Sequence, residues 1–244
     1  MNKYFKGLLA SVFVMSSFAW AGASDDNEIN IDQTGDTLTL YVDQVGYGNK
    51  IGADDFSTSS SASVIAGSSL TFDIDQLGNE NLLFGSLTAD QSTYNMLFTG
   101  DANSWDWNIG YIGSADSTTI DVDITGDSNT MDFDQGYVAS SERLDLDLTV
   151  VGSSNVFDVD VETDDVTWSW DLTGSSNNIN TLQNDGYYQE QTVVYDGDSG
   201  DIDINQISGT CPTGITTCKG IINLDITSDN ATIQINQKDT SNDS

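Results

Sequence analysis

The sequence predicts an all-β protein, a β-solenoid of strand–turn–strand rungs, on three observations. A turn glycine recurs with a period of about 22–26 residues. Apolar side chains keep one alternating parity on both sides of it. Equivalent positions carry equivalent residues in copy after copy, the mark of a repeat architecture.

The period emerges on aligning Gly35, Gly46, Gly78, Gly100, Gly126, Gly152, Gly174 and Gly197, with Ser228 in the last copy. Two spacings are long, and each has an interruption to account for it: a Ser-rich insertion near 53–69 and a cysteine-bearing one near 209–220.

Two, four and six residues before the turn stand Ile124, Val122 and Ile120; Val150, Leu148 and Leu146; Leu172, Trp170 and Trp168; Phe98, Met96 and Tyr94. After the turn the parity resumes at the third residue, as in Asn129, Met131, Phe133 and Gln135, or Asn155, Phe157, Val159 and Val161. The weakest copies keep it too, in Gly200, Ile202, Ile204 and Gln206 and in Ala231, Ile233, Ile235 and Gln237. Trp105, Trp107, Trp168 and Trp170 fall on inward positions and are expected in the core.

Acids alternate with these residues, as in Asp73 and Asp75, Asp121 and Asp123, Asp145 and Asp147, Asp158 and Asp160, and Asp201 and Asp203. Aspartate is disfavoured in strands, so its regular presence marks a solvated face. Alternation alone also fits a β-sandwich; the fixed period favours copies stacked about 4.8 Å apart, roughly eight rungs over about 35–40 Å.

At the N-terminus Lys3 and Lys6 precede an apolar run from Gly7 to Phe18 and the small-x-small triplet Ala19-Trp20-Ala21. Residues 1–21 therefore read as a secretory signal peptide, too short to span a membrane, and the chain as secreted. The repeat domain then covers 22–237, with a polar tail at 238–244. Loss of the leader takes two lysines and no acid, leaving 4 basic against 39 acidic residues, a charge of −35. So acidic a chain is no nucleic-acid binder, because phosphate recognition needs clustered Lys and Arg. Like molecules repel within a screening length of about 8 Å, so self-association needs salt or cations.

Chemistry is sparse. The chain has no histidine, few cations and two cysteines, Cys211 and Cys218. In an exported chain a local disulfide is the expected state of that pair. Catalytic combinations of nucleophile, base and electrophile are missing, and carboxylate pairs occur in nearly every strand as part of the pattern. No enzyme, cofactor or specific metal site is expected. Rows of Asp can gather calcium loosely, although the calcium-binding β-roll repeat is absent.

Polar residues also share the inward parity. Asparagine stands third after the turn glycine at Asn49, Asn81, Asn103, Asn129, Asn155 and Asn177. Glutamine stands two before it at Gln33, Gln44 and Gln76, or nine after it at Gln44, Gln135, Gln183, Gln206 and Gln237. Buried amides are costly unless paired, and stacked copies can pair them in ladders along the axis.

Gln44-Val45-Gly46-Tyr47-Gly48-Asn49 and Gln76-Leu77-Gly78-Asn79-Glu80-Asn81 resemble the repeat core of the curlin family, the subunits of curli functional amyloid. Asn129 to Gln135 and Asn177 to Gln183 keep the second half of that repeat, while apolar residues replace glutamine before several turns. The resemblance implies export through an outer membrane, secretion and nucleator partners, and rung-on-rung assembly into an extracellular fibre or biofilm matrix. The alternative is a monomeric acidic solenoid that binds a surface, carbohydrate or ice, with or without calcium.

Overall fold

The computed structural model describes residues 11–15, 29, 31–46, 49, 51, 63–78, 82–100, 104–109, 116–135, 141–184, 186–209 and 218–239. Among them the chain forms strands and no helix. In chain order these are β1 Ser11–Met15, β2 Asp32–Thr34, β3 Thr39–Val45, β4 Ser63–Ser68, β5 Thr71–Leu77 and β6 Leu82–Asp90. There follow β7 Thr93–Thr99, β8 Ser104–Ile109, β9 Thr118–Thr125, β10 Thr130–Gln135, β11 Ser141–Val151 and β12 Val156–Val161. The last six are β13 Thr163–Thr173, β14 Asn178–Asn184, β15 Tyr188–Asp196, β16 Asp201–Ser208, β17 Lys219–Thr227 and β18 Thr232–Asp239.

Odd strands pair in chain order into one nine-stranded sheet and even strands into another. Every pairing is parallel, as between β9, β11 and β13 or between β10, β12 and β14. Parallel neighbours need a long connection, and here the connection is the strand laid down in the opposite sheet. The protein is thus an all-β β-solenoid, as predicted.

Steric necessity makes the turn glycine. Gly152 has a φ of 154°, and a Cβ there would run into the carbonyl oxygen of Gly126 one rung earlier. Its N–H donates to Thr173 O at 2.9 Å on the following rung. Two residues on, Ser128, Ser154, Ser176 and Ser199 all adopt left-handed φ values of 59–61°. They turn the chain so that the next residue points inward.

The opposite corner is as regular but carries no sequence motif. Thr37, Ser69, Gln91, Ser117, Arg143 and Asp165 have φ of 54–63°. Gly35 belongs to this second corner, which corrects its alignment with Gly46: it precedes β3, its N–H donates to Ala66 O at 3.0 Å, and a Cβ on Gly67 would strike its carbonyl. Eleven residues separate Gly35 from Gly46 because that distance is half a rung.

The Ser-rich interruption is shorter than the stretch near 53–69. Ser63–Ser68 is β4, a regular strand of the even sheet paired with β6. Asn49 and Ile51 keep their inward places before the interruption and are buried. Near the other end, β18 runs to Asp239, so the solenoid takes in the first two residues assigned to the tail.

The inward columns fill the space between the sheets. Phe72 stacks on Tyr94 with centroids 5.2 Å apart, Trp107 packs edge-on to Tyr94 and Phe133, and Trp170 edge-on to Phe157 and Trp168. All four tryptophans expected inside are buried. At about 25 cal/mol per Å² of apolar surface removed from water, this continuous core is the main stabilising term. The alternating acids are exposed or half-buried, as the solvated-face reading requires.

The two ends differ. At the N-terminal end Ser11–Met15, part of the stretch read as a leader, lies beside β3, with Val12 opposite Leu40 and Val14 opposite Val42. At the C-terminal end the last rung has nothing stacked on it among the described residues. Its inward-parity residues Ile233 and Ile235 are 37% and 49% exposed.

Candidate functional site

The candidate features are the polar residues of the core, the acidic columns and the open last rung. Each is set by strand register. In the odd sheet Gln44 is opposite Gln76, and the column continues with Phe98, Ile124, Val150, Leu172, Tyr195 and Ile226. In the even sheet one column runs Gln33, Ile65, Leu87, Ile109, Gln135, Val161, Gln183, Gln206 and Gln237. Gln33 therefore belongs with the glutamines nine residues after the turn, and Gln44 only with those before it. The placing of Gln33 before the turn, and the second placing of Gln44 after it, follow from the misplaced Gly35.

Adjacent glutamines form ladders. Gln76 Nε2 donates to Gln44 Oε1 at 2.7 Å. Gln206 Nε2 donates to Gln183 Oε1 at 2.8 Å, and Gln237 Nε2 to Gln206 Oε1 at 2.7 Å. In each case the later rung donates to the earlier. Gln237 Nε2 also reaches Gly220 O at 2.9 Å.

Where an apolar residue interrupts a column, the ladder's end atom is stranded. Gln76 Oε1, with Phe98 next in its column, finds no partner among the described residues; nor does Gln183 Nε2, which meets Val161. Gln135, between Ile109 and Val161, has both amide atoms unsatisfied among the described residues. A buried amide group in that state costs about 1–3 kcal/mol, whereas a made bond contributes only about 0.5–1.5 kcal/mol.

Asparagine lines the turn. Asn155 N and Nδ2 both donate to Asn177 Oδ1, at 2.9 and 3.2 Å, and Asn129 N donates to Asn155 Oδ1 at 2.8 Å. Asn177 Nδ2 donates to the carbonyls of Gly152 and Gly174, at 3.1 and 3.2 Å, which ties this asparagine to the glycine corner. Asn49 is buried and its Nδ2 donates to Gln44 O at 3.3 Å. Asn81 and Asn103 lie outside the described residues. Gly46, Gly78, Gly100, Gly126, Gly152 and Gly174 all occupy the first corner, with φ from 119° to 154°.

Two further inward glutamines, Gln189 and Gln191, were not singled out. Gln191 Nε2 donates to Thr181 Oγ1 across the core at 3.2 Å, and Gln206 Nε2 also reaches Gln189 O at 3.4 Å. Counting back from Gly197 by twos reaches both. At Gly200, where asparagine is missing, the ring of Tyr195 fills the space a Cβ would take.

Outward, Asp132 stands opposite Asp158, and Asp134 opposite Asp160, on adjacent strands. Desolvation, then the charge of Asp158, raises the Asp132 carboxyl; Asp160 is raised by desolvation and by Asp158, Asp132 and Glu162. Asp75 and Asp121 are raised in the same way, by partial burial and then by neighbouring aspartates. No group of three acidic, cysteine or histidine residues is arranged to hold a metal ion among the described residues. Cys218 stands immediately before β17, and Cys211 lies outside the described residues. No described helix is long and apolar enough to cross a membrane.

No protein-family model matches this chain, and neither a curated protein nor a solved structure matches it.

Proposed function

We propose that the chain is an exported structural subunit, without catalytic activity, that assembles outside the cell by adding rung upon rung as its curlin-like turns suggest. The observation that carries this is the open last rung. β17 and β18 present strand edges of nine and eight residues, with Ile233 and Ile235 uncovered. A long unpaired parallel edge is a template for another strand.

The ladders support the same reading. Stacked amides gain partners from copies of themselves on the next rung, which is how cross-β assemblies satisfy buried polar side chains. Acidic columns set the conditions, since assembly waits on salt or on calcium loosely gathered by the aspartates. Electron microscopy and fibre diffraction of the purified protein at about 1 M salt, where screening reaches about 3 Å, with and without calcium, test the proposal. Fibres with a reflection near 4.8 Å along the axis are expected; a monomer under every condition overturns it.

A further inference from the structure

The two ends of the even sheet, β2 with the residues leading into it and β18, carry one motif. Ile29, Ile31 and Gln33 at the start repeat the spacing of Ile233, Ile235 and Gln237 at the end, and β16 has it again in Ile202, Ile204 and Gln206. The even strands between do not: β10 has Met131, Phe133 and Gln135, β12 has Phe157, Val159 and Val161, and β14 has Ile179, Thr181 and Gln183. A like strand is already seen to stack on this motif, since β18 lies on β16 with Ile202 opposite Ile233, Ile204 opposite Ile235 and Gln206 opposite Gln237.

The two ends also agree in column. Gln33 and Gln237 stand in the same column, and β2 and β18 are the outermost strands of the even sheet. Ile29 and Ile31 are only partly buried against the core at one end, as Ile233 and Ile235 are exposed at the other. Gln237 bears the last amide oxygen of the Gln183–Gln206–Gln237 ladder, and the ladder runs with the later rung as donor.

Resting on the assembly reading, we infer that the occupant of the open C-terminal end is the β2 end of a second copy, with its Ile29, Ile31 and Gln33, head to tail and in register with β18. Ile233 then stacks on the partner copy's equivalent of position 29, and Ile235 on that of position 31. The glutamine at position 33 extends the ladder by a step. Assembly is directional: the β18 end of one copy meets the β2 end of the next, and two like ends do not meet.

Two blocked variants test this. Ile235→Asp places a charge on the β18 end, at an exposed site that leaves the fold intact; Ile31→Asp does so on the β2 end, with Ile29→Asp as its substitute should circular dichroism show an unfolded chain. Sedimentation at about 1 M salt, where charge is screened, gives the association state. Each variant alone is expected to lose association by about 30-fold or more, the loss typical of a central interface residue. Mixed, they are expected to form a 1:1 dimer and stop, at twice the mass of a single chain, because one intact end of each kind remains. A wild-type chain that never associates overturns the assembly reading itself. A wild type that assembles while either variant still does so alone, or while the mixture stays monomeric, overturns this pairing and leaves the assembly reading standing.

Discussion

The middle of the stack, β9 to β14, and its last rungs, β15 to β18, follow one backbone plan with different contents. In the middle Ile, Val, Leu, Phe and Trp fill most inward places, all closed off from water, with Gln135 and Gln183 buried among them. In the last rungs Gln189, Gln191, Gln206 and Gln237 enter the columns, and side chains that would be core elsewhere are open. Apolar contacts are non-directional and accept any apolar neighbour; an amide needs a hydrogen-bonding partner at the right spacing, which a stacked copy of itself can supply. The middle is therefore closed on itself, whereas the last rung leaves inward residues open to water.

The sharpest way to break the middle is at its corner. Gly152→Ala is expected to cost about 3–5 kcal/mol, at the severe end for single substitutions, because it combines a positive φ with a collision against Gly126. Gly46→Ala, where nothing lies within 4 Å, is expected to cost only the backbone strain, about 1–2 kcal/mol. Urea unfolding of the pair measures the difference.

Leu148→Ala in the middle is expected to cost about 2–5 kcal/mol, as fully buried leucines do. Leu224→Ala on the partly buried last rung is expected to cost less than half as much. If the two are equal in thermal unfolding, the ends are not energetically distinct.

The amides give a pair of opposite sign. Gln135→Leu removes a stranded amide and is expected to stabilise by about 1–3 kcal/mol, whereas Gln206→Leu breaks a ladder on both sides and is expected to destabilise by a similar amount. Melting temperatures of the two variants decide it.

The smallest effect is pH dependence. Asp75, Asp121, Asp132 and Asp160 have carboxyls raised above their ordinary value of 3.8. Their unfolded forms release protons more readily, so stability is lost as pH rises from the ordinary value through the raised folded one, and is regained on acidification. Asp160→Asn is expected to flatten that slope in melts recorded from neutral pH down to about 4.

Much of this plan is legible in the sequence, for a physical reason. A corner that admits no Cβ must be glycine, so its column is written in one letter, and the parity of two is inherent in any strand. The second corner escapes notice because a left-handed φ near 60° is open to many side chains, and Thr, Ser, Gln, Arg and Asp all occupy it. With one corner invisible, Gly35 could be aligned half a rung out, carrying Gln33 and Gln44 into each other's columns. The serine-rich interruption hid β4 for another reason. Of the inward places of β4 only Ile65 has the bulk seen elsewhere, with Ser63 and Gly67 on either side, and pairing with β6 supplies what composition does not show.

The nearest-neighbour wiring of the two sheets also sets how the chain can find its fold. Every strand pairs only with those one rung before and after, so each closure spans a loop of roughly one repeat however long the protein becomes. Loop-closure entropy grows with the logarithm of that span, and it stays nearly constant from the first rung to the last. Folding can therefore proceed as a zipper from whichever rung forms first, and a chain lengthened by duplicating repeats would meet no steeper search than this one.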